Sequence, residues 1–117
     1  AMPPKGEIEP APLSSTLLQG QMIVELSITS ARVGQSEVHI LVAMADGSLI
    51  QVDSATARMS MPSREIPNGP IALQETRPNH FSGVTEFAYA GEWVVEILVK
   101  QTASSTTLFK IAVEIKK

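Results

Sequence analysis

Apolar and polar residues alternate along most of the chain beyond residue 20. Because successive side chains of a strand point to opposite faces, an apolar residue at every second position predicts a β-strand with one buried face. Four stretches carry the clearest apolar stripes: Met22, Val24, Leu26 and Ile28; Val38, Ile40, Val42 and Met44; Trp93, Val95, Ile97 and Val99; and Phe109, Ile111, Val113 and Ile115. Each stripe therefore predicts one strand of a half-buried sheet.

Turn signals separate these strands and allow further strands between them. The Asp-Gly pair within 45–48 can supply the positive φ of a tight turn. A strand is expected from about residue 49 to 61, with a bend near Ser54. The segment PSREIPNGP at 62–70 predicts a crossing between sheets or a ragged edge strand, because proline cannot donate to a sheet ladder. Two more strands are expected at 71–76 and 81–89.

The fold class follows from the number and spacing of these elements. About seven short strands with turn signals every ~8–12 residues are typical of an all-β fold, the immunoglobulin-like antiparallel β-sandwich. Half-buried alternation is the pattern of antiparallel sheets with one wet face. Trp93 opens an inner stripe, so its ring is expected to fill the space between sheets packed ~10 Å apart.

Two regions are predicted along the chain. Residues 1–20 contain four of the eight prolines, which predicts an extended linker that docks through Leu13, Leu17 and Leu18. Residues 21–117 form the predicted β-sandwich domain.

Composition excludes several classes of function. The net charge of −3 and the scattered basic residues argue against nucleic acid, whose binding requires clustered Lys and Arg. The chain has no cysteine, which excludes disulfides and thiolate sites. The longest apolar run, 40–45, is far shorter than the ~20 residues of a membrane helix. No signal-peptide pattern is present.

Catalytic signatures are missing as well. The sequence has no G-x-S-x-G nucleophile elbow, no P-loop and no dinucleotide fingerprint. We therefore predict that the chain is not an enzyme, with no catalytic or cofactor-binding residue assigned.

Methionine and histidine supply the candidate metal ligands. Met59 and Met61 lie two positions apart and should share one strand face, and thioether sulfur suits Cu(I) with imidazole as a companion. His80, in the predicted loop RPNHFSG, is the third candidate. Alternatively, Met59 and Met61 continue an inward stripe and fill the core. His39 lies on the polar face of its strand and is interpreted as a solvated histidine.

Several segments, taken in order, resemble a known bacterial module. They are GQMIVELSITSARVGQSEVHILVAMADGSLI, ATARMSMPS, NHFSGVTEFAYAGEWVVEILVKQ and TLFKIAVEIK. This series is similar to the YtkA-like/FixH-like β-sandwich, as found at the C-terminus of CopD/YcnJ-type copper transport and copper resistance proteins. The glycine–any–tryptophan turn before a Val-rich strand is the most specific part of the resemblance, which covers about residues 20–117.

The resemblance implies a role in copper homeostasis. It implies an accessory domain with a binding or scaffolding role, outside the bacterial cytoplasmic membrane (in the periplasm or at the cell exterior) and tethered to the membrane-embedded part of the same polypeptide. Residues 1–20 would be the tether. Copper is the implied ion, and a homodimer through edge strands is a further partner to consider.

An alternative hypothesis for the function does not involve copper. The chain is then an immunoglobulin-like structural or protein-interaction module of an unrelated surface or secreted protein. Outward apolar residues such as Ile23, Val94 and Leu98 would contact the partner. A broad apolar patch on one sheet face would favour this alternative, and isolated apolar residues would count against it.

Overall fold

The computed structural model describes residues 12–48, 52–102 and 105–117. Within these ranges the chain forms nine β-strands and a short 3-10 helix at Pro62–Arg64. The strands in chain order are β1 (Leu13–Gln19), β2 (Met22–Ile28), β3 (Gly34–Met44), β4 (Ser54–Met61), β5 (Ile66–Ile71), β6 (Gln74–Arg77), β7 (His80–Phe87), β8 (Gly91–Thr102) and β9 (Ser105–Ile115).

The strands form two antiparallel sheets that pack as a sandwich. The five-stranded sheet has the order β1-β2-β3-β7-β6, and the four-stranded sheet has the order β5-β4-β8-β9. The orders β2-β3-β7-β6 and β5-β4-β8-β9 correspond to strands A-B-E-D and C′-C-F-G of immunoglobulin-like sandwiches. The predicted all-β, immunoglobulin-like fold is therefore confirmed, with β1 and β5 added to the seven expected strands.

The core lies between the sheets and is lined by the predicted apolar stripes. All residues of the four stripes are buried except Met44, which is half-buried at the end of β3. Trp93 is 2% exposed, and Phe87 packs edge-on against it from the opposite sheet with ring centroids 5.7 Å apart. Trp93 therefore fills the space between the sheets, as the alternation predicts.

The first strand corrects the prediction of a linker over residues 1–20. Residues 13–19 pair with β2 along their whole length, from Leu13 opposite Ile28 to Gln19 opposite Met22. Leu13 and Leu17 pack against the core, whereas Leu18 is exposed and does not dock. The ordered sheet therefore begins before residue 21. Residues 1–11 lie outside the described residues.

Other observed strand boundaries differ from the predicted ones by a few positions. The strand predicted from residue 49 is observed from Ser54, and positions 49–51 lie outside the described residues. The proline-rich segment provides edge strand β5, one of the two predicted alternatives. The predicted strand at 71–76 is observed at 74–77, because Ile71 completes β5. His80 was predicted in a loop but is the first residue of β7.

A close approach between backbones holds the segment after β5 in place. A Cβ on Gly83 would overlap the carbonyl oxygen of Ala72. The missing side chain in β7 therefore lets the connection between β5 and β6 pass directly against the five-stranded sheet.

Candidate functional site

Met61, a predicted copper ligand, is a core residue at the end of β4. Its side chain is 2% exposed. A Cβ built on Gly91 would lie 2.6 Å from Met61 Cε, so the methyl end of the thioether lies against the backbone where β8 begins. This position fits the role of methionine as a flexible filler of irregular core space.

The sulfur of Met59 accepts a hydrogen bond from within the protein. The Thr85 hydroxyl donates a hydrogen bond to Met59 Sδ over 3.3 Å, which joins β7 of one sheet to β4 of the other. Thr85 is buried, and a buried hydroxyl left without a partner costs about 1–3 kcal/mol. The thioether of Met59 therefore stabilises the contact between the sheets.

The structure does not bring Met59, Met61 and His80 together. The two methionines pack against the core from β4, whereas His80 precedes the buried Phe81 and lies on the opposite, outward face of β7. The predicted ligand set is corrected on this point. Alternation placed the methionines on one face, but it could not place them relative to a residue of the other sheet.

His80 contacts the second histidine instead. Its Nε2 lies 3.4 Å from Nδ1 of His39, and the two rings meet edge to face with centroids 5.7 Å apart and planes at 78°. The side chain of His39 is 37% exposed. His39 is therefore half of an imidazole pair on the outer face of the five-stranded sheet, rather than the isolated solvated residue expected from sequence.

Strand register brings the two rings together. In the β3–β7 pairing, His39 is opposite Ser82 and Leu41 is opposite His80. The histidines are therefore diagonal neighbours on one face, a distance that long side chains can span. Alternation within β3 predicts that His39 faces outward. It does not predict the register of β3 with β7, which carries His80, 41 residues further along the chain.

A carboxylate lies beside the pair. Glu37, two residues before His39 on β3, places Oε2 3.6 Å from His39 Nε2. This nitrogen is the one that does not face His80, so the three side chains form a row: carboxylate, imidazole, imidazole. Within residues 12–48, 52–102 and 105–117, no three His, Cys, Asp or Glu side chains converge on a common point where a metal ion could bind.

The glycine–glutamate–tryptophan turn is built into the core at the start of β8. Gly91 has φ of +130°, a conformation that side chains with a Cβ rarely adopt. Two residues later, the Trp93 indole donates its Nε1–H to the carbonyl oxygen of Tyr89 over 2.9 Å. The Arg64 guanidinium lies 4.3 Å from the centre of the Tyr89 ring. Gly91 and Trp93 therefore each have a structural role in this turn.

On the outer face of the four-stranded sheet, the described apolar residues form no broad patch. Val94 is half-buried, while Leu98 is 42% exposed and faces Leu108 on β9. The next row carries charges, with Lys110 Nζ 3.8 Å from Glu96 Oε1. This arrangement counts against apolar docking through the outer face of the four-stranded sheet. Ile23 lies on the five-stranded sheet, where it is half-buried between Leu18 and Ala43.

Titration and hydropathy add two observations. The side-chain hydroxyl and the backbone N–H of Ser48 donate to the Asp46 carboxylate, and these bonds lower the pKa of Asp46 below its ordinary value. Asp46 lies in the tight turn after β3. In the described part of the chain, no helix is long and apolar enough to span a membrane.

Comparisons with known proteins identify the fold without assigning a family. No family model and no curated protein matches the chain. A DUF4426 family protein from Pseudomonas aeruginosa superposes with a TM-score of 0.67 at 12% identity, covering 87% of this chain and 96% of that chain. A DUF4785 family protein from Legionella pneumophila superposes with a TM-score of 0.61 at 15% identity, covering 83% of this chain.

These likenesses concern the β-sandwich alone. The chain spans 29% of the length of the Legionella protein, so the match covers one part of a longer chain. At 12% and 15% identity, the comparisons show a shared architecture only. No family model supports the resemblance to the YtkA-like family.

Proposed function

We propose that this chain is an extracytoplasmic accessory domain of a bacterial copper transport or resistance protein. It is tethered to the membrane-embedded part of the same polypeptide. It acts by binding or scaffolding and catalyses no reaction of its own.

The structure of the glycine–any–tryptophan turn is the observation that supports this proposal. The turn is the most specific element of the resemblance to the C-terminal domain of CopD/YcnJ-type proteins. Here Gly91 adopts φ of +130° and Trp93 fills the core, with its indole bonded to Tyr89. The residues that carry the resemblance are therefore those on which this corner of the sandwich depends.

The outer face of the five-stranded sheet is the surface that suits such a role. His39 and His80 place imidazole nitrogens there, on a rigid sheet and open to solvent. Met59 and Met61 have no part in this role because they pack against the core.

The coding sequence upstream of residue 1 provides the first test. A series of hydrophobic helices directly before the chain is the expected result. A soluble enzyme domain at that place would contradict the proposal.

The second test measures copper in the native bacterium. Removal of residues 12–117 from the full-length polypeptide is expected to change cellular copper content, while immunoblotting shows that the membrane part is still inserted. Cellular magnesium content is the control and should stay constant. Unchanged copper with an inserted membrane part would reject the copper role and favour a structural module of a surface protein.

A further inference from the structure

We propose that His39 and His80 form a binding site for a divalent transition-metal ion on the outer face of the five-stranded sheet. Cu²⁺ and Zn²⁺ are the ions that its chemistry suits. The site deepens the proposed function, which names the same face, but it rests on the geometry of the imidazole pair and holds whether or not the chain serves copper transport.

The two rings are carried by rigid elements. β3 and β7 are inner strands of the sheet, each paired on both sides, and their register places His39 diagonal to His80. Sites built on strands hold their ligands more accurately than sites built on loops. Little conformational entropy is therefore lost when an ion joins the two side chains.

The distance between the rings suits a shared ion. His39 Nδ1 and His80 Nε2 are 3.4 Å apart, which is long for a hydrogen bond between them. An ion at about 2.0–2.1 Å from each nitrogen would bridge this distance with an N–metal–N angle of about 110°. That angle is close to tetrahedral, as Zn²⁺ prefers, and a small closure of the pair would suit tetragonal Cu²⁺.

Glu37 favours the required tautomer of His39. Its carboxylate oxygen is 3.6 Å from His39 Nε2, the nitrogen on the far side of the ring. A nearby negative charge favours the proton on Nε2, which leaves the Nδ1 lone pair directed toward His80. Metal-ligating histidines commonly present their second nitrogen to a carboxylate in this way. Glu37 is thus a positioning residue rather than a ligand.

The remaining coordination positions face solvent. The His39 side chain is 37% exposed, so water or a donor group from another molecule can reach the pair and complete the coordination. With two neutral imidazoles as its protein ligands, the site selects borderline transition ions over Mg²⁺ or Ca²⁺, which prefer oxygen ligands.

Calorimetric titration of the folded chain with Zn²⁺ alone and with Cu²⁺ alone tests the site. We expect one ion per chain, tighter binding of Cu²⁺ than of Zn²⁺, and no response to Mg²⁺. Zn²⁺ should also shift the imidazole NMR signals of both histidines together. The α-amine is acetylated in all samples so that it does not compete for the ion.

Variants separate this site from its alternatives. His39→Ala and His80→Ala should each weaken binding at least about tenfold, since even outer-shell partners of a metal ligand contribute about 10–100-fold. Glu37→Gln should weaken it less. Met59→Leu with Met61→Leu is the matched control and should bind as the wild type does, with circular dichroism confirming that all variants fold.

Two results would overturn the inference. One is a wild-type chain that binds neither ion, and the other is full affinity in either single histidine variant. Neither result bears on the cellular copper measurement, which can succeed through protein contacts alone.

Discussion

At the scale of single residues, the start of β8 requires a residue without a side chain at Gly91 and a large side chain at Trp93. Gly91 must lack a Cβ, because its φ is +130° and the Met61 methyl group occupies the adjoining space. Trp93 must be large, because it fills the region between the sheets and meets Phe87 of the opposite sheet. Its polar N–H is satisfied by the Tyr89 carbonyl, so burying the ring leaves no unpaired donor.

Truncating the tryptophan tests this residue. Trp93→Ala is expected to lower the free energy of unfolding by about 3–5 kcal/mol, because it removes a fully buried ring and leaves a cavity. Urea denaturation followed by circular dichroism measures the loss. Trp93→Phe, which keeps an aromatic ring but loses the bond to Tyr89, should lose less. A loss below about 1 kcal/mol for the alanine variant would show that the ring does not anchor the core.

At the scale of elements, β1 changes the boundary of the sheet. It covers the edge of β2 through seven residue pairs, and Leu13 and Leu17 extend the core beyond the seven expected strands. An exposed, regular edge strand is a template for pairing with other chains. β1 therefore moves the sheet edge from β2 to a strand whose exposed face carries Ser14, Thr16 and Leu18.

Removing β1 gives the second prediction. A chain that begins at Gln21 should lose about 1–3 kcal/mol of unfolding free energy relative to one that begins at Pro12, because two leucines lose part of their burial and a strand pairing is lost. It should also associate more readily, which light scattering would detect. Equal stability of the chains from Pro12 and Gln21 would support a linker over residues 1–20 instead.

At the scale of the whole molecule, the two sheets share one core and contact each other directly. Phe87 of the five-stranded sheet packs against Trp93 of the four-stranded sheet, and the Thr85 hydroxyl is bonded to Met59 across the same interface. Neither sheet can bury its inner face alone. The molecule should therefore unfold as one cooperative unit.

Two probes can check this cooperativity. Trp93 is the single tryptophan of the chain, so its fluorescence reports the core, while far-UV circular dichroism reports all strands. The two urea transitions are expected to have the same midpoint and slope. Separate transitions would show that one sheet loosens before the other.

The local pattern of residues predicted most of the fold. Alternation marked the inner faces of β2, β3, β8 and β9, and the Asp46-Gly47 turn is present with Gly47 at φ of +87°. These features depend on neighbours in sequence, since side-chain direction alternates along any strand. The strand β1 escaped detection because its proline-rich surroundings suggested a linker, and its few leucines gain burial only when β2 is beside them.

The sequence alone therefore determined the alternating faces of the main strands of this protein, and the tertiary structure decided which faces and residues meet. Met59 and Met61 share a face by alternation, but only burial shows that they belong to the core rather than to a metal site. His39 and His80 are 41 residues apart and become neighbours through the register of β3 with β7. Register is a nonlocal property, because it depends on how whole strands align when the sheet forms, so no short stretch of sequence encodes the imidazole pair.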